Sequence, residues 1–166
     1  MYINPNWHIL TIGDGDLSFS ASLWARSKPR SLTATILDDL GTLASKYGDD
    51  ANYQSLVREG CQVLTCFDVT DINSWEKLTL NQFDLVIFQF PLIPAFTSEK
   101  EYTNNCTNFS VNTLNRRLLR KYLQNCFTYF LAESGAGLAY ISSKEVKPYI
   151  QWNIESALTM QTPFAY

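Results

Sequence analysis

Ile9-Leu10-Thr11-Ile12-Gly13-Asp14-Gly15-Asp16-Leu17-Ser18-Phe19-Ser20 is an apolar run that breaks into a Gly-x-Gly turn and passes at once into a helical pattern. Glycines at such a turn let the backbone come close to a ligand, and the helix that opens there offers unpaired N–H groups and a positive dipole end. A dinucleotide fingerprint carries a third glycine three residues after the second, where this chain has Ser18. Asp14 and Asp16 add negative charge at the turn. Two carboxylates are unfavourable beside a pyrophosphate and favourable beside a cationic sulfonium and a zwitterionic amino acid. The turn therefore suits S-adenosylmethionine better than a nicotinamide dinucleotide, with Gly13, Asp14, Gly15, Asp16 and Ser18 as candidate contacts.

Beyond the turn, apolar runs alternate with helical patterns, the signature of a parallel sheet with crossover helices. Strands are expected at Trp7 to Ile12, Leu32 to Leu37, Gln62 to Phe67, Asp84 to Phe88 and Gly137 to Ile141, all short and rich in aliphatic, Thr or aromatic residues. Helices are expected over Ser18 to Ser27, Leu40 to Tyr47, Asn52 to Glu59, a short piece after Asp71, Ser110 to Ala132 and Tyr149 to Leu158. The fold class is α/β, a doubly wound Rossmann-like sheet of five strands in the order 3-2-1-4-5. At 166 residues the chain fits one domain, 1–166, with a real core. After Leu158 eight residues remain, too few for another pair of strands. The fifth strand is then left as an edge. Either the final strands are truncated or a partner, such as a second copy in a homodimer, covers that side.

The carboxyl edge of such a sheet holds its ligand. Asp38 stands at the end of the second strand, about twenty residues after the glycine turn, where an acid accepts both ribose hydroxyls of an adenosine ligand. Asp39 suits the N-cap of the next helix. After the third strand, the Asp68 carboxylate and a backbone N–H fit the exocyclic amine and a ring nitrogen of adenine, with Val69 against the ring face; Asp71 suits a helix cap. After the fourth strand come Gln89, Phe90 and Pro91. In amino-methylating enzymes the corresponding turn, a polar amide followed by an aromatic and a proline, places a carbonyl near the transferred methyl. Gln89 is the candidate for holding the acceptor. Phe90 either stacks on a planar base or ends the strand in the core.

The helix from Ser110 has a plausible N-cap, and Leu114, Leu118, Tyr122, Cys126 and Phe130 recur at the spacing of a buried stripe. At roughly 100° per residue, Arg116, Arg117, Arg120 and Lys121 fall within an arc of about 140° away from it. That face is either solvated or an RNA or phosphate contact. The segment from Leu92 to Phe109 is polar and aromatic and leaves the ligand edge of the sheet as a long loop, the place of a lid or substrate contact. Tyr149 and Trp152, three apart, either form a stacking wall or pack on the sheet.

The net charge of −3 argues against autonomous nucleic-acid binding, which is driven by many Lys and Arg contacts. Cys61, Cys66, Cys106 and Cys126 lack metal-ligand spacing and read as reduced thiols, mostly packing. No apolar run approaches the roughly 18 residues of a membrane span, and the start lacks the pattern of a secretory signal. A cytoplasmic protein without a metal site is expected.

Together, Ile12-Gly13-Asp14-Gly15-Asp16-Leu17-Ser18-Phe19-Ser20, Thr33-Ala34-Thr35-Ile36-Leu37-Asp38, Phe83-Asp84-Leu85-Val86-Ile87-Phe88-Gln89-Phe90-Pro91, Asn115-Arg116-Arg117-Leu118-Leu119 and Pro148-Tyr149-Ile150-Gln151-Trp152 resemble the Rossmann-like domain of the 25S ribosomal RNA uridine-N(3) methyltransferase family. The resemblance runs from about Ile9 to Leu158. It implies a class I methyltransferase fold, S-adenosylmethionine as cofactor and methylation of a uridine ring nitrogen in ribosomal RNA; the residues themselves leave open a methyltransferase for a small molecule or a protein, and a degenerate methyltransferase-fold binding module without catalysis. By motif match it carries the cofactor role to Gly13, Asp14, Gly15, Ser18, Asp38 and Asp68, and it matches a family lysine at Lys144. Where the family usually reads Asn-Phe-Pro-His, this chain has Gln89-Phe90-Pro91-Leu92, so one imidazole that could act as a base is missing.

Overall fold

The computed structural model describes residues 2–158. Its first strand, β1 (His8–Ile12), leads through the glycine turn into α1 (Ser18–Ser27). There follow β2 (Ser31–Thr35), α2 (Leu40–Tyr47), α3 (Ala51–Arg58), β3 (Gln62–Leu64), a 3-10 turn (Ile72–Trp75) and β4 (Leu85–Gln89). The second half comprises α4 (Glu99–Cys106), α5 (Val111–Asn125), a π turn (Cys126–Phe130), β5 (Leu138–Ser142), a second 3-10 turn (Tyr149–Trp152) and α6 (Ile154–Ala157). All strand pairs are parallel, in the order β3-β2-β1-β4-β5, so the doubly wound α/β reading holds. Ile9 pairs with Leu32 on one side and with Leu85 on the other, which makes β1 central.

Successive side chains of a strand point to opposite faces, and both faces of β1 are dry. Ile9 joins Leu32, Ala34, Leu85 and Ile87 against α1, α2 and α3, through Leu17, Leu23, Leu43 and Leu56. Leu10 and Ile12 join Val86 and Phe88 against Phe67, Trp75, Tyr122, Cys126 and Phe130 on the other face. The second and third strands are shorter than expected, ending at Thr35 and Leu64. Their pairing continues irregularly, through Ile36 N–H to Leu64 O (2.9 Å) and Phe67 N–H to Ile36 O (3.0 Å).

Three stretches differ from the sequence expectation. The segment after β4 is not all loop, because α4 lies within it. Ser98 accepts the Glu101 N–H (3.2 Å), and Glu101 reaches back to the Thr97 N–H (2.7 Å) and hydroxyl (2.6 Å), a reciprocal cap that the polar composition hid. The helix from Ser110, capped as expected by its hydroxyl on the Thr113 N–H (3.2 Å), stays α-helical only to Asn125. The carbonyls of Tyr129 and Phe130 are taken by Asn81, Gln82 and Phe83, which pulls the last turn into π geometry. Its inner face is also rotated: Asn115, Leu119, Tyr122, Asn125 and Cys126 are buried, whereas Leu114 and Leu118 are half-buried. Finally, the expected helix from Tyr149 to Leu158 breaks at Asn153, which takes a left-handed φ of +48°. Asparagine tolerates that conformation better than most residues.

Two features tie α5 to the sheet. The buried Tyr122 hydroxyl donates toward Val86 O (3.0 Å) and Tyr140 O (2.9 Å), spanning β4 and β5. Burial raises the Tyr122 pKa well above its usual value, so the hydroxyl stays a donor. Leu119 packs with Trp152 and Leu158, which brings the C-terminal turns onto the outer side of α5.

Candidate active site

The glycine turn is anchored before any ligand is considered. The Asp14 N–H donates to Thr35 O (3.0 Å) and the Gly13 N–H to Thr35 Oγ1 (3.3 Å), while the Thr35 hydroxyl donates to Thr11 O (3.0 Å). Gly13 has a φ of +60°, and a Cβ there would stand 3.0 Å from the Phe88 ring, so both conformation and space require glycine. At Gly15 the close approach is made by the protein itself, since a Cβ would meet the Tyr47 hydroxyl at 3.0 Å.

Asp14 and Asp16 occupy the start of α1. Asp14 Oδ2 accepts the Ser20 N–H (2.6 Å) and Asp16 Oδ1 the Ser18 N–H (3.0 Å), because Leu17, the N-cap residue, has no side chain able to accept. The amides that would cradle a phosphate are therefore committed to the chain's own carboxylates. Burial raises the Asp14 pKa, and Asp16 adds to the rise, against the hydrogen bonds from Ser20. Gly13, Asp14, Gly15 and Ser18, with Phe19, Ser22, Gln89 and Phe90, line a pocket of about 410 Å³. Asp16 is not among them. Within that pocket Gln89 Oε1 is buried and has no hydrogen-bond partner among the described residues.

A larger groove of about 1260 Å³ adjoins the pocket and shares Gly13, Gly15 and Phe90 with it. Asp38, Asp68, Val69 and Pro91 line it, so all the candidate residues except Asp16 meet in two contiguous cavities at the carboxyl edge of the sheet. Asp39 and Asp71 are caps, as expected, accepting the Thr42 N–H (2.7 Å) and the Asn73 N–H (3.0 Å). Hydrogen bonding holds the Asp39 carboxyl below its usual range. Asp38 carries an ion pair with Lys46 (3.0 Å). Lys46 and Tyr47, at the end of α2, belong to the site and were not legible in the sequence.

The loop holding Asp68 and Val69 is fixed from three directions. The Trp75 indole N–H donates to Asp68 O (2.8 Å), the Ser74 hydroxyl accepts the Asp68 N–H (2.9 Å), and the buried Asn125 amide donates to Val69 O (2.7 Å). Asn115 does the same for the loop after β4, accepting the Ile93 N–H at 3.0 Å. These two asparagines explain the rotation of α5, since loop backbone inside a protein must find partners. Asn125→Ala leaves the Val69 carbonyl unpaired and is expected to cost about 1–3 kcal/mol of stability, read by urea unfolding. A loss under 0.5 kcal/mol, about the effect of an ordinary surface change, would show the bond is dispensable.

Phe90 is not a core residue. It is 39% exposed and has a left-handed φ of +47°. Leu17 and Cys66, beyond the ends of β1 and β3, also have positive φ, so part of the strained backbone lies at the ligand edge of the sheet, while Lys28, Asn81 and Asn153 take positive φ elsewhere. Lys144 Nζ lies 4.7 Å from the centre of the Phe90 ring. Trp152 is fully buried, which removes it from any stacking wall; Tyr149 remains half-exposed beside it.

The basic face is divided. Arg116 donates to Gln151 O (3.2 Å) and Arg120 Nε to Ala157 O (3.0 Å), so both guanidiniums clasp the C-terminal turns. Arg117 lies over the Phe109 ring at 4.5 Å, and Lys121 lines the groove with Arg117 and Arg120. Of the cysteines, all free, Cys61 and Cys126 are buried, but Cys66 is exposed and Cys106 half-exposed, so only two are packing residues. Among the described residues no cluster of His, Cys, Asp or Glu could hold a metal ion, and no helix is long and apolar enough to cross a membrane.

Two Arabidopsis thaliana proteins are similar to this chain. The protein called heavy metal-associated isoprenylated plant protein 41 is 28% identical over 160 residues, covering 93% of this chain and 28% of its own length. Uncharacterized protein At4g26485 is 30% identical over 149 residues, 89% of this chain and 68% of its own. The chain thus spans little more than a quarter of the first relative and about two thirds of the second. The family described as rRNA (uridine-N3-)-methyltransferase BTM5-like matches residues 10–165, from the middle of β1 onward. With that match over nearly its whole length, the chain belongs to the BMT5-like family.

Proposed function

We propose that the chain is an S-adenosylmethionine-dependent methyltransferase acting on the N3 of uridine in ribosomal RNA. The family match supports the acceptor, and the observation that carries the cofactor is the polarity of the pocket beside the glycine turn. Its side chains present acceptors, the Asp14 carboxylate and the unpartnered Gln89 Oε1, while the first amides of α1 are already bonded. A cationic, donor-bearing ligand suits that pocket and a pyrophosphate does not. S-adenosylmethionine, when bound, supplies an electrophilic methyl group on a sulfonium.

The residues divide the work along the edge of the sheet. Asp38 receives the ribose hydroxyls, and Asp68 and Val69 take the adenine. The turn from Gly13 to Ser18 and Gln89 hold the amino-acid end, and Phe90 with Pro91 forms the platform for the acceptor base. Asp16 acts through the cap it makes and through its charge beside Asp14. Much of the rate in such a site comes from holding donor and acceptor in line, so no catalytic dyad is required.

Calorimetric titration with S-adenosylmethionine, with NADH as control, tests the cofactor. Asp38→Ala is expected to weaken binding at least tenfold, about 1.4 kcal/mol. Unchanged affinity in a folded variant removes Asp38 from the site. Transfer of labelled methyl to ribosomal RNA, with the product nucleoside identified, tests the acceptor.

A further inference from the structure

The chain's one histidine, His8, lies at the opposite edge of the sheet, bonded through Nδ1 to Ser31 (2.7 Å), so no imidazole is available to an acceptor at Phe90. A uracil ring gives up its N3 proton only well above neutral pH, so a site that methylates it needs a means of favouring the anion. Lys144 follows β5 by two residues, and the Phe90 N–H donates to Ser142 O (3.1 Å), which ties the two loops together. Its Nζ sits over the Phe90 ring at 4.7 Å and over the Tyr149 ring at 5.9 Å. The ion pairs among the described residues are Lys28–Glu59 and Lys46–Asp38, so no carboxylate of those residues is paired with this ammonium. The two rings are its ring contacts, Glu145 and Lys147 stand near it in the chain, and Asp14 lines the pocket that Phe90 also lines.

The geometry points to Lys144 as a catalytic residue that stabilises the N3 anion of a uracil stacked on Phe90. This inference rests on the uridine acceptor proposed above. A base laid on the exposed ring takes the position over it that the ammonium now holds. The flexible lysine stem then lets Nζ move to the edge of the base, where O2 and O4 flank N3. The N3–H bond breaks, the proton leaves to solvent, and the electron pair stays on the base and spreads onto both oxygens. Lys144 keeps its own protons and donates one hydrogen bond to an oxygen that gains charge, as a preorganised donor does for an oxyanion. A neighbouring positive charge favours the ionised form of the base and lowers its pKa.

The test needs neither cofactor nor turnover. A short oligouridylate carrying a single 5-fluorouridine, whose N3 proton is more acidic than that of uridine, is bound to the full chain. Its ionisation is followed by ultraviolet absorbance across pH. The wild type is expected to lower the apparent N3 pKa by about one pH unit or more. Lys144→Arg should keep most of that effect, and Lys144→Met should abolish it with the thermal midpoint unchanged, as befits an exposed side chain. A bound base that ionises like the free one, or a Lys144→Met protein that shifts it as the wild type does, overturns the inference and leaves the methyltransferase reading standing. Failure of the wild type to bind the oligonucleotide, with or without S-adenosylhomocysteine, overturns the uridine acceptor and this inference with it.

Discussion

Trp152→Ala is expected to lower folding stability by about 3–5 kcal/mol, the cost of emptying a fully buried aromatic site. The indole is 0% exposed and packs with Leu119 and Leu158, and its ring centre is 4.8 Å from that of Tyr149. Truncation removes the largest side chain of the apolar contact that holds the C-terminal turns on α5, leaving Leu158 against Leu119 and the bonds of Asn112, Arg116 and Arg120 to Gln151 and Ala157. Those bonds join exposed groups and replace hydrogen bonds to water, so their net contribution is small. Because Tyr149 carries one side of the Lys144 position, the variant should also disturb the acceptor platform. Trp152→Phe keeps most of the volume and deletes an indole N–H that has no partner among the described residues, so it should cost less than half as much. Urea unfolding of both variants decides it. Equal losses would mean that packing volume is not what holds this segment.

Asp14 gives the second large effect, and two substitutions separate its roles. Asp14→Ala leaves the Ser20 N–H without its acceptor and is expected to cost about 1–2 kcal/mol, as for other lost helix caps. Asp14→Asn retains an oxygen for Ser20 and removes a buried charge. The sign of its pH dependence follows from the raised pKa. The folded carboxyl titrates above the 3.8 expected of an unfolded one, so the wild type is favoured while the group is protonated. That advantage is lost as pH rises from about 4 through the folded-state pKa and then stays constant. The Asn variant lacks this loss, so its stability relative to wild type should climb over the same window and level off. At neutral pH it should be at least as stable as wild type, yet bind S-adenosylmethionine about tenfold more weakly, about 1.4 kcal/mol. An Asn variant less stable at pH 7 and unchanged in affinity would make Asp14 a cap and nothing more.

What could be read along the chain is what depends on near neighbours. The Gly-x-Gly turn, the Asp39, Asp71 and Ser110 caps and the apolar strands are set by residues within about four positions, and each lies where local reasoning puts it. The strand order also followed, because a parallel α/β sheet that opens on a glycine turn has few topologies. The site was legible as a set of strand ends. Its internal wiring was not. Helical periodicity admits more than one rotation of α5, and the choice that buries Asn115 and Asn125 depends on carbonyl and N–H groups of loops that arrive from elsewhere. The basic residues of that helix looked uniform by angle, yet Arg116 and Arg120 face a C-terminal segment that only the fold brings near. The Lys46 bond to Asp38, the Tyr47 hydroxyl over Gly15 and the Lys144 ammonium over Phe90 likewise join residues of separate elements or helix turns. The sequence by itself determined the order of strands and the chemistry present at their ends, because backbone preference and burial pattern are local. Tertiary structure alone decided which of those groups are paired, capped or left free, because pairing depends on distances across the sheet that no spacing along the chain encodes.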